Sequence, residues 1–278
     1  MLLMPASQSL ASRCEAAAAP TLRRVRVWLD DSAPHQGTFA HALEWALLLR
    51  LPLHAVVPAL GGADVLAGCA AICQREGVAW TYSSEDGDGT SIMTRSQPPE
   101  IDFCVMSATR PMRQLRAAMR HSHAGPLLCP PLWRSFRRAL ILQEDPAPGQ
   151  QYLENAAAVC HGAGCSASVL TLSQSEEMAR GMQNEAVEVF ARQRVEADFQ
   201  MVVGDITRTA VPMVADWRRC SHIIVETARV GGLRRWLGLD FDNRIRNLAD
   251  RYAVLPVGAA PSRLAGRLIE ASATRQAG

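Results

Sequence analysis

Residues 220–258 read CSHIIVETARVGGLRRWLGLDFDNRIRNLADRYAVLPVG, and the order of their parts decides the fold. His222, Ile223, Ile224 and Val225 form a short apolar run rich in β-branched side chains, the length of a buried strand. A basic, glycine-bearing loop follows, with Arg229, Gly231, Gly232, Arg234 and Arg235. Asp240 and Asp242 then precede Ile245, Leu248 and Ala249, whose spacing marks one helix face, and either aspartate suits an N-cap. Residues 253–257 are a second apolar run. Strand, loop, helix and strand make a βαβ unit, and such units place phosphates at the helix N-terminus.

The same alternation extends upstream. Residues 138–143, 167–172 and 199–203 read as strands, with helices over 152–161, 176–195 and 209–218 between and after them. The first half of the chain carries an earlier copy of the pattern. Strands are predicted at 25–29, 53–57, 78–82, 101–106 and 126–129, and helices around 39–49, 65–76 and 112–120. Residues 84–100, with SSEDGDG and QPP, read as a loop where a fuller domain has a helix. Strands alternating with helices imply an α/β protein. The expected architecture is two Rossmann-like open parallel-sheet domains with helices on both faces. The expected boundaries are a flexible leader at 1–21, domains at 22–133 and 134–260, and a C-terminal tail at 261–278.

In this order of parts the chain resembles the universal stress protein family over about residues 25–257, most closely in the second half. The stretch 202–226, VVGDITRTAVPMVADWRRCSHIIVE, looks like that family's third strand, Gly-Asp turn at Gly204, helix and fourth strand. The family's first strand commonly ends in Asp-Gly-Ser, with the Asp near the adenine-ribose end of a bound nucleotide. Asp30 matches that Asp, and Glu144 takes its place in the second half. The resemblance also implies that the last strands of the two halves pair, giving an internal pseudo-dimer with the linker 130–136 crossing between them.

The family's phosphate loop runs G-x-x-G, nine residues, then G-S or G-T. On this chain the two glycines fall on Glu226 and Arg229, and the Gly-Ser pair on Leu239 and Asp240. Glycine serves where a backbone must approach a ligand closely, so Glu226, Arg229 and Leu239 obstruct a triphosphate. A carboxylate about 4 Å from a phosphate costs roughly 4 kcal/mol at an effective dielectric near 20, on the order of a thousandfold in affinity. The first half has no glycine loop: SATRPMRQLR at 107–116 passes from strand toward helix without one.

The chain has 278 residues, 48% hydrophobic and 20% charged, with a formal net charge of +2, so composition offers no footing for nucleic acid. No lysine occurs, which excludes a Schiff-base lysine and a P-loop lysine. The eight cysteines are scattered with no C-x-x-C pair, reading as small buried hydrophobes in a reducing cytoplasm. No apolar run is long enough to cross a bilayer, so a soluble, cytoplasmic protein is expected.

The candidate nucleotide contacts are therefore Asp30, Glu144, Gly204, Gly231, Gly232, Arg234 and Arg235, as remnants of a degraded site. His121, His123, Cys160 and His161 offer no third metal ligand at a suggestive spacing, so no metal is expected. No nucleophile, base and oxyanion hole assemble from the sequence, so no enzyme is expected. The expectation is a stress-response or regulatory protein that acts through an unidentified protein partner, with no cofactor. The alternative is an adenine-nucleotide switch or weak ATPase that holds ATP or AMP at the second-half loop. Trp236, set in the basic loop, is the expected anchor of a homodimer of whole chains.

Overall fold

A computed structural model describes residues 21–29, 37–58, 63–85, 100–110, 126–144, 149–204, 209–226, 247–258 and 262–277. The first half contains β1 (Thr21–Trp28), α1 (Gly37–Leu49), β2 (Leu53–Pro58), α2 (Ala63–Arg75), β3 (Trp80–Glu85), β4 (Glu100–Ser107) and β5 (Leu127–Cys129). The second contains β6 (Arg138–Glu144), α3 (Gln150–Ala163), β7 (Ser166–Ser173), α4 (Glu176–Arg192), β8 (Ala197–Val203), α5 (Ala210–Trp217), β9 (His222–Glu226) and β10 (Ala253–Val257). A last helix, α6, spans Arg263–Gln276.

Among the described residues ten strands join one sheet in the order β3-β2-β1-β4-β5-β10-β9-β6-β7-β8. The order of the first five is repeated, mirrored about the centre, by the second five. Neighbours pair in parallel except at that centre, where β5 and β10 run antiparallel with Leu128 opposite Val254. The strands read as nearly continuous apolar runs because both faces of the sheet are covered. In β6, Ala139 and Ile141 face one core while Leu140 and Leu142 face the other. The first core is roofed by α1, α2, α3, α4 and α6, and the second by α5 and the helical turn at 247–249.

The element edges follow local chemistry. β1 starts at Thr21, four residues earlier than the apolar run predicts, because its arginines are paired: Asp102 on β4 takes ion pairs from Arg24 and Arg26. Helix α4 stops at Arg192, short of the predicted 195, and Arg194 takes a left-handed φ of 56° just beyond it. The predicted helix at 112–120 and the leader up to residue 20 lie outside the described residues.

The segment expected to be a C-terminal tail is instead the helix α6. Ser262 caps its start by accepting the Ala265 N–H, and Leu264, Ala265, Leu268 and Ala271 bury one face against α3 and α1. Arg267 donates to the Leu49 carbonyl and Arg275 to those of Leu48 and Gly162. These are carbonyls left open where α1 and α3 end, and a cation suits that end of a helix. One helix thus closes both halves.

The imidazole of His54 on β2 lies between hydroxyls of β3, with Nδ1 at 2.8 Å from Thr81 and Nε2 at 3.1 Å from Ser83. Burial, followed by the charges of Arg24 and Arg26, lowers its pKa to about 4. The folded state therefore prefers His54 neutral, while the unfolded chain protonates it near its ordinary 6.5. Its stabilising contribution is whole above pH 6.5 and is lost as pH falls toward 4. An NMR titration should place the His54 midpoint near 4, and a midpoint near 6.5 would contradict the geometry.

Candidate functional site

In an open parallel sheet of this order, ligands lie beyond the carboxyl ends of the strands where the winding reverses. Those points fall between β1 and β4 and between β6 and β9. The second crevice is the better described. Glu144 closes β6 and Glu226 closes the adjacent β9, so both strands end in a carboxyl residue at the same edge. The register from Ile141 opposite Ile224 sets Glu226 level with Gln143, which turns the two carboxyls to opposite faces of the sheet. Gln143, level with Glu226, is fully buried; its Nε2 donates to the Met182 carbonyl and its Oε1 accepts from Thr171.

Gly204 follows β8 at the same edge. Its φ of 99° needs a glycine, and its N–H donates to the Ser173 carbonyl on β7. It stands two strands from Glu144, on the order of 10 Å away, so it turns the chain rather than sharing a contact with that carboxylate. Asp30, Gly231, Gly232, Arg234, Arg235 and Trp236 lie outside the described residues. So do Arg229, Leu239, Asp240 and Asp242. Helix α3, the next element after β6, begins after Gly149 with no side-chain cap from Gly149 and no acidic residue in its first turn.

In the first half the chain closes on itself at the corresponding point. The Thr109 N–H donates to the Ser107 hydroxyl, and the Ala108 N–H to the Cys129 carbonyl of β5. The backbone N–H groups of Ala108 and Thr109 are thus satisfied within the fold. The seven described cysteines are all free and buried, as small apolar residues of the core.

One assembly escaped the sequence reading. His41 and Glu44 on α1 meet His222 on β9, with one ligand atom of each within 4.8 Å of the others. No other such group of three stands among the described residues. The linker passes beside it: Trp133, Ser135 and the Phe136 N–H all donate to the Glu44 carboxylate. The spacing of His41 and Glu44, three apart on a helix, was the signal available. His222 gave none, since in sequence it opens an apolar strand.

No model of a known protein family matches the sequence, and no curated protein does. Solved structures do match. One is a functionally unknown protein from Pseudomonas aeruginosa PAO1, 15% identical, with 90% of this chain and 97% of that one covered at a TM-score of 0.53. Another is a protein from Pseudomonas aeruginosa UCBPP-PA14 provisionally classed as a universal stress protein. It is 15% identical, with 93% and 99% covered, also at a TM-score of 0.53. A universal stress protein in complex with cAMP is 15% identical and covers 46% of this chain at a TM-score of 0.38. The first two share the fold along nearly their whole length.

Proposed function

We propose that the chain is a tandem universal stress-type protein. Its two halves form an internal pseudo-dimer, and it works in stress response or regulation by protein contact, without ATP. The observation that carries this reading is the acidic edge of the second crevice, where Glu144 and Glu226 end neighbouring strands. A polyphosphate seated on either face of that edge would meet a carboxylate in place of glycine N–H groups, and like charges at contact distance cost several kcal/mol. The closed turn after β4 supports the same conclusion for the first half. The mirrored strand order and the antiparallel β5–β10 pair support the pseudo-dimer.

The start of α3, with a glycine N-cap and no acidic residue in its first turn, favours the rival reading, a nucleotide-dependent switch, because helix N-termini attract anions. Titration calorimetry with ATP, ADP and AMP separates the two. The expected outcome is no saturable heat with millimolar nucleotide. A one-site isotherm with a micromolar Kd would replace contact by nucleotide sensing.

A further inference from the structure

We infer that His41, Glu44 and His222 form a site for one divalent transition-metal ion of the kind zinc represents, and that the ion clamps the two halves together. This inference does not depend on the chain's relation to nucleotides. Helix α1 of the first half supplies His41 and Glu44, and β9 of the second half supplies His222. Two imidazoles and a carboxylate are a recurrent zinc set, with water completing the fourth position. A tetrahedral ion holds its ligand atoms about 3.4 Å apart, so side chains now within 4.8 Å close inward on binding.

Three observations distinguish this cluster from histidines that simply fill a core. The first is its unmet polar atoms. Both ring nitrogens of His41 and the Nε2 of His222 have no hydrogen-bond partner, although both side chains are 0% exposed. Buried polar atoms without partners are rare in folded proteins, and an ion is one of the few things that explains several converging together.

The second is the tautomer of His222. The Ser221 hydroxyl faces two carbonyls that can only accept, Ser135 at 2.8 Å and Arg138 at 3.4 Å; with its one proton on the nearer of them, His222 Nδ1 at 2.9 Å donates to the hydroxyl. Nε2 is then left with a bare lone pair facing the cluster. A metal-bound histidine has this form, one nitrogen on the ion and the other N–H held by an oxygen.

The third is the support around Glu44. Its Oε1 accepts from the Ser135 hydroxyl and the Phe136 N–H, both at 2.8 Å, and its Oε2 from the Trp133 indole at 3.2 Å. These donors orient the carboxylate yet leave it lone pairs for a cation. Ser135 thus touches Glu44 with its hydroxyl and Ser221 with its carbonyl, so the inter-half linker braces ligands from both sides. Trp45 and Phe136 stack at 5.2 Å over the site, and Phe136 lies 4.2 Å from the His222 ring. Such apolar walls lower the local dielectric and strengthen ion–ligand attraction.

The test uses the full chain, stripped with chelator and titrated with Co2+ and then Zn2+. Wild type should take up one equivalent, show the visible ligand-field bands of tetrahedral cobalt, and melt about 5–10 °C higher with zinc a hundredfold above its Kd. His41→Leu replaces the unmet nitrogens with apolar volume, so it should fold, as read by circular dichroism, yet lose the cobalt bands. Glu44→Gln, which keeps an acceptor for the linker, should bind cobalt at least tenfold more weakly. No uptake by wild type would overturn the inference. So would cobalt bands unchanged in the folded variants, which would place the metal on cysteines or on other histidines.

Discussion

Leu255→Asp is expected to abolish the native fold. Leu255 is central in β10, fully buried, paired with Ile224 of β9, and directed into the core that spans both halves. The substitution forfeits about 2–3 kcal/mol of apolar burial. It also places a carboxylate with no partner in that core, which adds several kcal/mol more. The sum approaches the entire stability of a typical domain. The variant should be insoluble, or should show no cooperative melt by circular dichroism. Leu255→Met, similar in volume and apolar, should retain the transition. A Leu255→Asp melt within about 3 °C of wild type would show that β10 is not part of a buried seam.

The second large effect is expected at α6. Leu268→Ala should cost about 2–5 kcal/mol, lowering Tm by roughly 5–15 °C, because Leu268 is fully buried where α6 lies on α3. The approach of the two helices is set by Gly162. A Cβ there would meet the Leu268 Cβ at 2.6 Å, its carbonyl carbon at 2.8 Å and the Ile269 nitrogen at 2.9 Å. Two of these atoms are backbone, so Gly162→Ala cannot be absorbed by a rotamer change and should cost about 1–3 kcal/mol. Trypsin should cleave both variants faster at Arg267 and Arg275, whose side chains are tied to α1 and α3 in the wild type. Melting and cleavage unchanged from wild type in both variants would leave α6 without a structural role.

The strands were legible because each is a short apolar run between polar breaks, and covered faces make such runs continuous. The helix α6 was equally legible in principle, since Leu264, Ala265, Leu268 and Ala271 share a face. It was missed because it lies beyond the last strand of the repeated unit, where the repeat gives no template. The acidic edge was half legible. Glu226 at the end of an apolar run signals an altered loop, but that it and Glu144 end adjacent strands, one on each face, follows from β6 and β9 being neighbours, which only the sheet order and register reveal. The His41, Glu44 and His222 cluster depends on contacts between residues 181 positions apart in the chain. Neither histidine carries local information about the other. Sequence periodicity reports on faces of elements, and this site arises between elements from different halves.

Native mass spectrometry of the full chain purified from cells tests the account most directly. The predicted spectrum contains the chain without nucleotide, and, on the inference drawn above, with one metal ion. A peak at the chain mass plus ATP, present at near-stoichiometric level, would contradict a crevice closed to phosphates by Glu144 and Glu226.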